Sequence, residues 1–211
     1  MLDHSVLKPE STEREIRAGA GLVREWRVGC YCVQPCWVRT SAQALAGSDA
    51  VVASVVGFPH GTGRLEIKSR EAAHAVDDGA GEIDVVQNIG ALRGGDAQYV
   101  ARDLAAVVRA VPGIPVKVIL ETAVLTDAEI RLACRLARDA GAAFVKTSTG
   151  FHAAGGATAA AVRLMRAEVG AEFGVKASGG IRTLAETLAM IDAGATRIGT
   201  SASAEILAAC P

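Results

Sequence analysis

The sequence predicts a closed (β/α)8 barrel formed by a single domain, residues 1–211, and three observations support this fold class. Eight short apolar runs rich in β-branched residues alternate with longer segments of helical period. Half of the residues are hydrophobic and only 4% are aromatic, which is typical of parallel strands covered on both faces. The length of 211 residues lies at the short end of the range for this barrel. A doubly wound open sheet is the alternative, although no G-x-G-x-x-G follows the first strand.

The elements follow from local patterns along the chain. Residues 97–111 and 126–141 each place their apolar side chains on one helix face. The T-x-x-E capping boxes that begin at Thr12, Thr126 and Thr183 predict three helix starts. In such a barrel the chemistry is expected at the C-terminal ends of the strands and in the loops that follow. The predicted strands are 1–5, 29–34, 50–57, 82–88, 115–121, 143–149, 174–178 and 196–200.

Charge, hydropathy and cysteine spacing argue against several classes of function. The net charge is −1 and no basic stripe is present, so we expect no nucleic-acid partner. No apolar run approaches the roughly 20 residues of a membrane span, and no signal-peptide core is present, so we expect a cytoplasmic protein without a membrane partner. Cys30, Cys32 and Cys36 form C-x-C-x3-C, but no second cluster completes a tetrahedral metal site. We therefore expect reduced, packed thiols and no metal.

Lysine is rare in this chain and is concentrated in apolar strands. There are 5 lysines and 17 arginines, and Lys117, Lys146 and Lys176 fall within predicted strands. Burial and a nearby like charge both lower the pKa of a lysine, which can then act as a neutral amine, whereas an arginine stays charged. If Lys146 and Lys176 both point into the barrel, they are neighbours. Such a pair favours Schiff-base chemistry on a carbonyl compound, whereas one buried lysine alone would favour simple pairing with an acid.

Carboxylates and glycine-bearing loops complete the predicted constellation. Strand alternation allows Asp84 to face the lysines, where it could relay protons or only neutralise a buried cation. Glu121 is a weaker candidate of the same kind, with Lys117 either its partner or part of a core network. Residues 178–183 and 199–203 follow strands seven and eight, where glycines and helix N-termini favour a phosphate group. The residues therefore predict Schiff-base chemistry on a small phosphorylated carbonyl compound.

With this constellation in place, the chain resembles the deoxyribose-phosphate aldolase family over nearly its whole length. Matching segments occur in the family's order and include LDHSVLKP (2–9), EIDVVQNIGAL (82–92), FVKTSTGF (144–151) and VKASGGIRT (175–183). The resemblance implies a class I aldolase that needs no metal or other cofactor. Its implied reaction is the reversible cleavage of 2-deoxy-D-ribose 5-phosphate into acetaldehyde and D-glyceraldehyde 3-phosphate. A homodimer or a higher homo-oligomer is compatible with the sequence.

The resemblance also implies a role for individual residues. Lys146 matches the lysine that forms the Schiff base, and Lys176 matches the second lysine that lowers its pKa. Asp84 matches an acid that relays protons together with bound water. Asp3 and Cys32 match residues that line the sugar pocket. The positions that match the phosphate-holding loops are Gly150, Gly179, Gly180, Arg182, Gly199 and Ser201.

Three other functions are compatible with the same pattern. The first is another Schiff-base lyase or a transaldolase-like enzyme that acts on a different sugar phosphate. The second is a barrel that only binds a phosphorylated metabolite, but binding alone has no use for a lysine of lowered pKa. The third is a phosphate-binding epimerase, which would form no covalent adduct with a sugar.

Overall fold

The computed structural model describes residues 1–211 and contains a closed barrel of eight parallel strands. Each strand pairs with the next, and β8 closes the barrel by pairing with β1. The predicted (β/α)8 barrel is thus confirmed, and the open sheet is excluded because no strand has a free edge. The strands are β1 (Leu2–Val6), β2 (Cys30–Val33), β3 (Val51–Val56), β4 (Glu82–Val86), β5 (Val116–Ile119), β6 (Phe144–Lys146), β7 (Gly174–Ser178) and β8 (Arg197–Thr200).

Each strand is followed by at least one helix. The capping boxes predicted at Thr12, Thr126 and Thr183 are all present, each with its threonine oxygen accepting a backbone N–H of the first turn. The helices are α1 (Glu13–Glu25), α2 (Val38–Ala44), α3 (Leu65–Asp77), α4 (Ile89–Arg93), α5 (Ala97–Ala110), α6 (Asp127–Asp139), α7 (Ala159–Val169), α8 (Leu184–Asp192) and α9 (Ser203–Ala208).

Several strands end earlier than the sequence pattern predicts, and β6 shows why. It was expected over 143–149 but spans only Phe144–Lys146. Beyond it, the Thr147 hydroxyl donates to the carbonyl of Ser178 and accepts from its N–H, both at 3.0 Å. The Thr147 N–H still donates to the Lys176 carbonyl, but the backbone groups of Ser178 bond to the Thr147 side chain, so the regular ladder ends here. Strand β5 ends before Glu121, which has a left-handed backbone with φ of 61°.

Apolar and charged residues occupy different layers of the molecule. A cluster of 40 buried residues fills the space between the strands and the helices. Inside the barrel a small apolar cluster of Cys30, Cys32, Ala53 and Val55 lies on β2 and β3. The other six strands contribute ionisable side chains to the interior, and these pair with one another. The barrel interior is therefore the place where buried charge is concentrated.

The expectation of packed thiols holds for some of the cysteines only. All five cysteines are free; Cys30, Cys32 and Cys134 are buried, but Cys36 and Cys210 are exposed. Cys36 is exposed because it lies in a short 3-10 turn, Pro35–Trp37, after β2. As for the membrane, no helix in the protein combines the length and the apolar character that crossing a bilayer demands.

Candidate active site

A cavity of about 650 Å³ opens at the C-terminal ends of the strands, where the fold class predicted the chemistry. Its wall combines strand ends of the barrel with the loops after β6, β7 and β8. With one exception, the predicted site residues all line it. The exception is Asp84, which is fully buried beneath the lysines. The lining residues among the predicted set are Asp3, Cys32, Lys146, Gly150, Lys176, Gly179, Gly180, Arg182, Gly199 and Ser201.

The two predicted lysines lie side by side at the base of the cavity. Lys146 and Lys176 are register partners on β6 and β7. The Nζ atoms of both lysines donate to the same oxygen, Oδ2 of Asp84, each at 2.8 Å. Both lysines are almost completely buried. Strand alternation predicted that Asp84 could face the two lysines, and the three side chains are in contact in the structure.

The charges around the trio decide the protonation state of Lys176 and of Asp84. Burial alone would lower the pKa of Lys176, but the carboxylates of Asp3 and Asp84 outweigh burial and hold that pKa well above its ordinary value. Lys176 therefore carries a positive charge at neutral pH. Likewise, burial would raise the pKa of Asp84, yet the charges of three lysines hold it well below its usual range. Asp84 is an ionised carboxylate at neutral pH.

Further charged residues extend the trio into a larger network that strand periodicity alone does not reveal. Lys117 donates to Asp84 Oδ1 at 2.7 Å and approaches Glu82 Oε2 at 2.6 Å. Of the two alternatives for Lys117, membership of a core network is therefore the correct one. Asp3 accepts from Lys176 at 2.6 Å and from Arg197 at 2.8 Å. Glu82 lies two residues before Asp84 on the same strand, and strand alternation therefore puts both carboxylates on the same face of the sheet. This spacing is the feature of the sequence from which Glu82 could have been predicted as a member of the network.

Comparison with known proteins places this arrangement in a family. A family model described as DeoC/LacD family aldolase matches residues 1–208. The chain belongs to this aldolase family. It is 50% identical to the deoxyribose-phosphate aldolase of Enterococcus faecalis over 208 residues, which is 98% of this chain and 94% of that protein. It is also 50% identical to the deoxyribose-phosphate aldolase of Methanothermobacter thermautotrophicus over 207 residues, covering 98% and 92% of the two chains.

Solved structures agree with the family assignment. The tetrameric deoxyribose phosphate aldolase from Aeropyrum pernix superposes with a TM-score of 0.90 at 31% identity, covering 98% of this chain and 88% of that chain. A structure described as QR15, an aldolase, superposes with a TM-score of 0.93 at 38% identity, covering 98% and 92%. The chain is therefore an aldolase, a lyase by reaction class, on the barrel that its family uses.

In this aldolase three glycine backbones pack together beside the cavity and hold two loops in place. Gly179 has φ of +90°, and a Cβ there would lie 3.1 Å from Gly156 Cα and 3.2 Å from Gly150 Cα. The carbonyl of Gly179 also accepts from the N–H of Ala157 at 3.0 Å. The loops after β6 and β7 are consequently fixed against each other at the rim where phosphate binding was predicted.

Replacing Gly179 with alanine is expected to raise the KM for a phosphorylated substrate at least about tenfold. A left-handed backbone costs a non-glycine residue roughly 1 to 2 kcal/mol, so the loop is expected to move out of the geometry that binds the substrate, and a loss of about 1.4 kcal/mol in binding corresponds to a factor of ten. The added Cβ would also push the two loops apart. Steady-state kinetics of Gly179→Ala measure the effect, and Gly95→Ala is the control because Gly95 shares a positive φ in open space away from the cavity. An unchanged KM in Gly179→Ala would contradict the prediction.

Arg182 and the helix that follows it form another part of this rim. Arg182 is exposed, and its backbone N–H donates to Glu186 Oε2 at 2.8 Å. The same carboxylate oxygen accepts the N–H of Thr183 at 3.0 Å, which completes the capping box of α8. The Glu186 carboxylate thus accepts hydrogen bonds from two backbone N–H groups of the loop. These bonds fix the backbone from which the Arg182 guanidinium extends.

Glu121, the weaker candidate acid, does not pair with Lys117. Its carboxylate instead accepts from the Thr149 hydroxyl at 2.5 Å and from the Thr149 N–H at 3.3 Å. The Thr149 hydroxyl oxygen in turn accepts the N–H of Phe151 at 3.1 Å. Glu121 is buried and therefore acts on the shape of the loop after β6, not as part of the lysine network.

One group of side chains has the spacing of a small metal site. The ligand atoms of Asp3, Cys30 and Glu82 lie within 4.8 Å of one another. Both carboxylates already pair with Arg197, at 2.8 Å and 3.4 Å. A metal ion would have to displace that guanidinium, and these residues therefore fit an ion-pair network better than a metal centre.

Proposed function

We propose that residues 1–211 act as one catalytic domain that reversibly cleaves 2-deoxy-D-ribose 5-phosphate into acetaldehyde and D-glyceraldehyde 3-phosphate. The observation that carries this proposal is the pair of buried lysines at the base of the cavity, both held by Asp84. A primary amine in that position can form a Schiff base with an aldehyde. The names of the Enterococcus faecalis and Methanothermobacter thermautotrophicus relatives support the choice of sugar.

In the first step, neutral Lys146 attacks C1 of the open-chain sugar. Loss of water from the resulting carbinolamine gives an iminium ion on Lys146. Lys176 keeps its positive charge beside Lys146, because Asp3 and Asp84 hold the pKa of Lys176 well above its ordinary value. Lys146 lines the cavity, so its amine is accessible to the aldehyde.

In the second step, the iminium withdraws electrons and the bond between C2 and C3 breaks. The C3 hydroxyl loses its proton as glyceraldehyde 3-phosphate forms, and the two-carbon fragment that contains C1 and C2 stays on Lys146 as an enamine. Asp84 does not line the cavity, so we assign it a relay role in which water and the lysine ammonium groups carry protons between it and the substrate. Protonation of the enamine at C2 and hydrolysis then release acetaldehyde and restore the amine.

The remaining predicted residues would bind the rest of the sugar. Asp3 and Cys32 reach the cavity wall from β1 and β2, beside the lysines. The phosphate would lie at the loops after β6, β7 and β8, where backbone N–H groups and the N-terminus of α8 favour negative charge. The lining residues of those loops are Gly150, Gly179, Gly180, Arg182, Gly199 and Ser201.

Borohydride trapping tests the proposed function directly. The protein is incubated with 2-deoxyribose 5-phosphate, reduced with borohydride, and analysed by intact mass and then by peptide mapping. We expect a stable mass increase on the peptide that contains Lys146. An absence of any adduct while the sugar stays intact would refute Schiff-base chemistry and would favour the binding or epimerase alternatives.

We also propose that the chain forms a homo-oligomer. The support is the tetrameric description of the Aeropyrum pernix relative. Large apolar side chains that are exposed in the single chain are available for such contacts, among them Trp26, Ile67 and Leu188. Light scattering coupled to gel filtration measures the assembly state.

A further inference from the structure

Six of the ionisable side chains inside the barrel form a closed ring of alternating charge. Starting from Asp84, the ring runs through Lys176, Asp3 and Arg197 with contacts of 2.8, 2.6 and 2.8 Å. It continues from Arg197 to Glu82 at 3.4 Å, then to Lys117 at 2.6 Å, and returns to Asp84 at 2.7 Å. Every carboxylate oxygen of the ring contacts at least one cation, and every cation of the ring contacts two carboxylates.

The ring is electrically balanced, and Lys146 lies outside that balance. Three carboxylates face three cations around the ring, so their formal charges cancel. Lys146 has one carboxylate partner, Asp84, and shares the same oxygen with Lys176. A proton on Lys146 therefore adds an unmatched positive charge to a buried network, which is costly at low local dielectric.

The other titratable groups around Lys146 do not compensate for this charge. The thiols of Cys30 and Cys32 face the interior from β2, and burial raises the pKa of both, so they stay neutral at physiological pH. On the neighbouring strand β7 the register partner of Lys146 is the cation Lys176, and Lys117 on β5 is a further cation bound to the same carboxylate, Asp84. The buried carboxylates on the strands are Asp3, Glu82 and Asp84, which all belong to the ring, and the buried Glu121 after β5 accepts from Thr149 and not from a lysine.

We propose that the ion pair of Arg197 with Glu82, at the end of the barrel away from the cavity, sets how readily Lys146 loses its proton. This inference rests on the proposed role of Lys146 as the nucleophile. Neither Arg197 nor Glu82 lines the cavity, so both are positioning residues that act through the ring. Their side chains are 22% and 11% exposed, which leaves their charges only weakly screened by solvent.

The balance of the ring predicts opposite effects for the two partners. Glu82→Gln removes a negative charge, leaves the ring with an excess positive charge, and should shift the acidic limb of the pH–rate profile to lower pH. Arg197→Gln removes a positive charge and should shift that limb to higher pH. The expected size of each shift is about one pH unit, from a unit charge acting at an effective dielectric of about 20. The double variant with Glu82→Gln and Arg197→Gln has equal numbers of positive and negative charges in the ring again. Its acidic limb should therefore lie near that of the wild type.

The pH dependence of borohydride trapping at Lys146, recorded for each folded variant, provides the test. Arg197→Lys is the matched control because it keeps the charge, and its acidic limb should not move. A purely structural role for the pair would lower activity in both single variants without shifting their limbs in opposite directions. Limbs that stay fixed, or that move in the same direction, would overturn the inference.

Two further outcomes are separable in the same experiment. Absence of an adduct on the wild-type protein would refute the proposed function itself. An adduct whose acidic limb lies at the same pH in the wild type, Glu82→Gln and Arg197→Gln would refute only this inference. If Arg197→Gln does not fold, as judged by circular dichroism, Glu82→Gln and Arg197→Lys still decide the question. A shift to lower pH in Glu82→Gln with no shift in Arg197→Lys would support the inference.

Discussion

Lys146→Ala is expected to abolish turnover of 2-deoxyribose 5-phosphate and to remove the borohydride-trapped adduct. The loss should be on the order of 10⁴-fold or more, because a covalent mechanism has no replacement for its nucleophile. Lys176 is not a substitute, since Asp3 and Asp84 hold its pKa well above the ordinary value despite its burial. Steady-state kinetics and intact mass after reduction measure both effects.

Stability provides the control for this variant. Lys146 is the unmatched cation beside a balanced ring and lines an open cavity, so its truncation leaves no carboxylate without a partner. The free energy of unfolding in urea should therefore stay close to that of the wild type, in contrast to the loss of activity. Turnover at the wild-type rate, or an adduct on the peptide that contains Lys176, would contradict the assignment of Lys146.

Asp84→Asn is expected to lower both stability and activity. The carboxylate is fully buried and accepts hydrogen bonds from Lys117, Lys146 and Lys176. Removing one partner of a buried charge pair typically costs about 3 to 5 kcal/mol. We expect a loss of that size in the free energy of unfolding at pH 7, together with loss of the proton relay and a large fall in turnover.

The pH dependence of this loss has a defined sign. The pKa of Asp84 is lowered in the folded state, so its ionised form stabilises the fold above about pH 4 and that contribution disappears as the pH falls through the folded value. The difference in unfolding free energy between wild type and Asp84→Asn should therefore shrink as the pH falls below about 4. A difference that grows in acid would contradict the charge state assigned to Asp84.

Asp103→Asn is a matched control for a buried carboxylate outside the site. Asp103 pairs with the buried Lys68 at 2.7 Å, between the helices and the sheet. Its replacement is expected to destabilise the protein while Schiff-base formation at Lys146 persists in the folded fraction. Loss of the adduct in both variants would mean that general destabilisation, and not the proton relay, explains the behaviour of Asp84→Asn.

The sequence by itself determined the barrel and the inner face of its strands. Apolar runs rich in β-branched residues located all eight strands, and the period of two in a strand allowed Lys146, Lys176 and Asp84 to share one side. Capping boxes likewise depend on residues three apart and were read without knowledge of the fold. The family resemblance added the expected role of each lysine, which periodicity alone left undecided.

Only the tertiary structure decided which charges meet across the barrel. Glu82 and Arg197 are 115 residues apart in sequence but are in contact in the fold. They meet because the sheet closes by pairing β8 with β1, and β4 then lies across the barrel from β8. Local periodicity indicates the face of a side chain but not its partner, so the sequence alone left open which of the two lysines stays charged, whereas the structure places Asp3 and Asp84 beside Lys176 and so raises its pKa. Electrostatic energy depends on distances among all the buried charges together, and those distances exist only in the folded barrel.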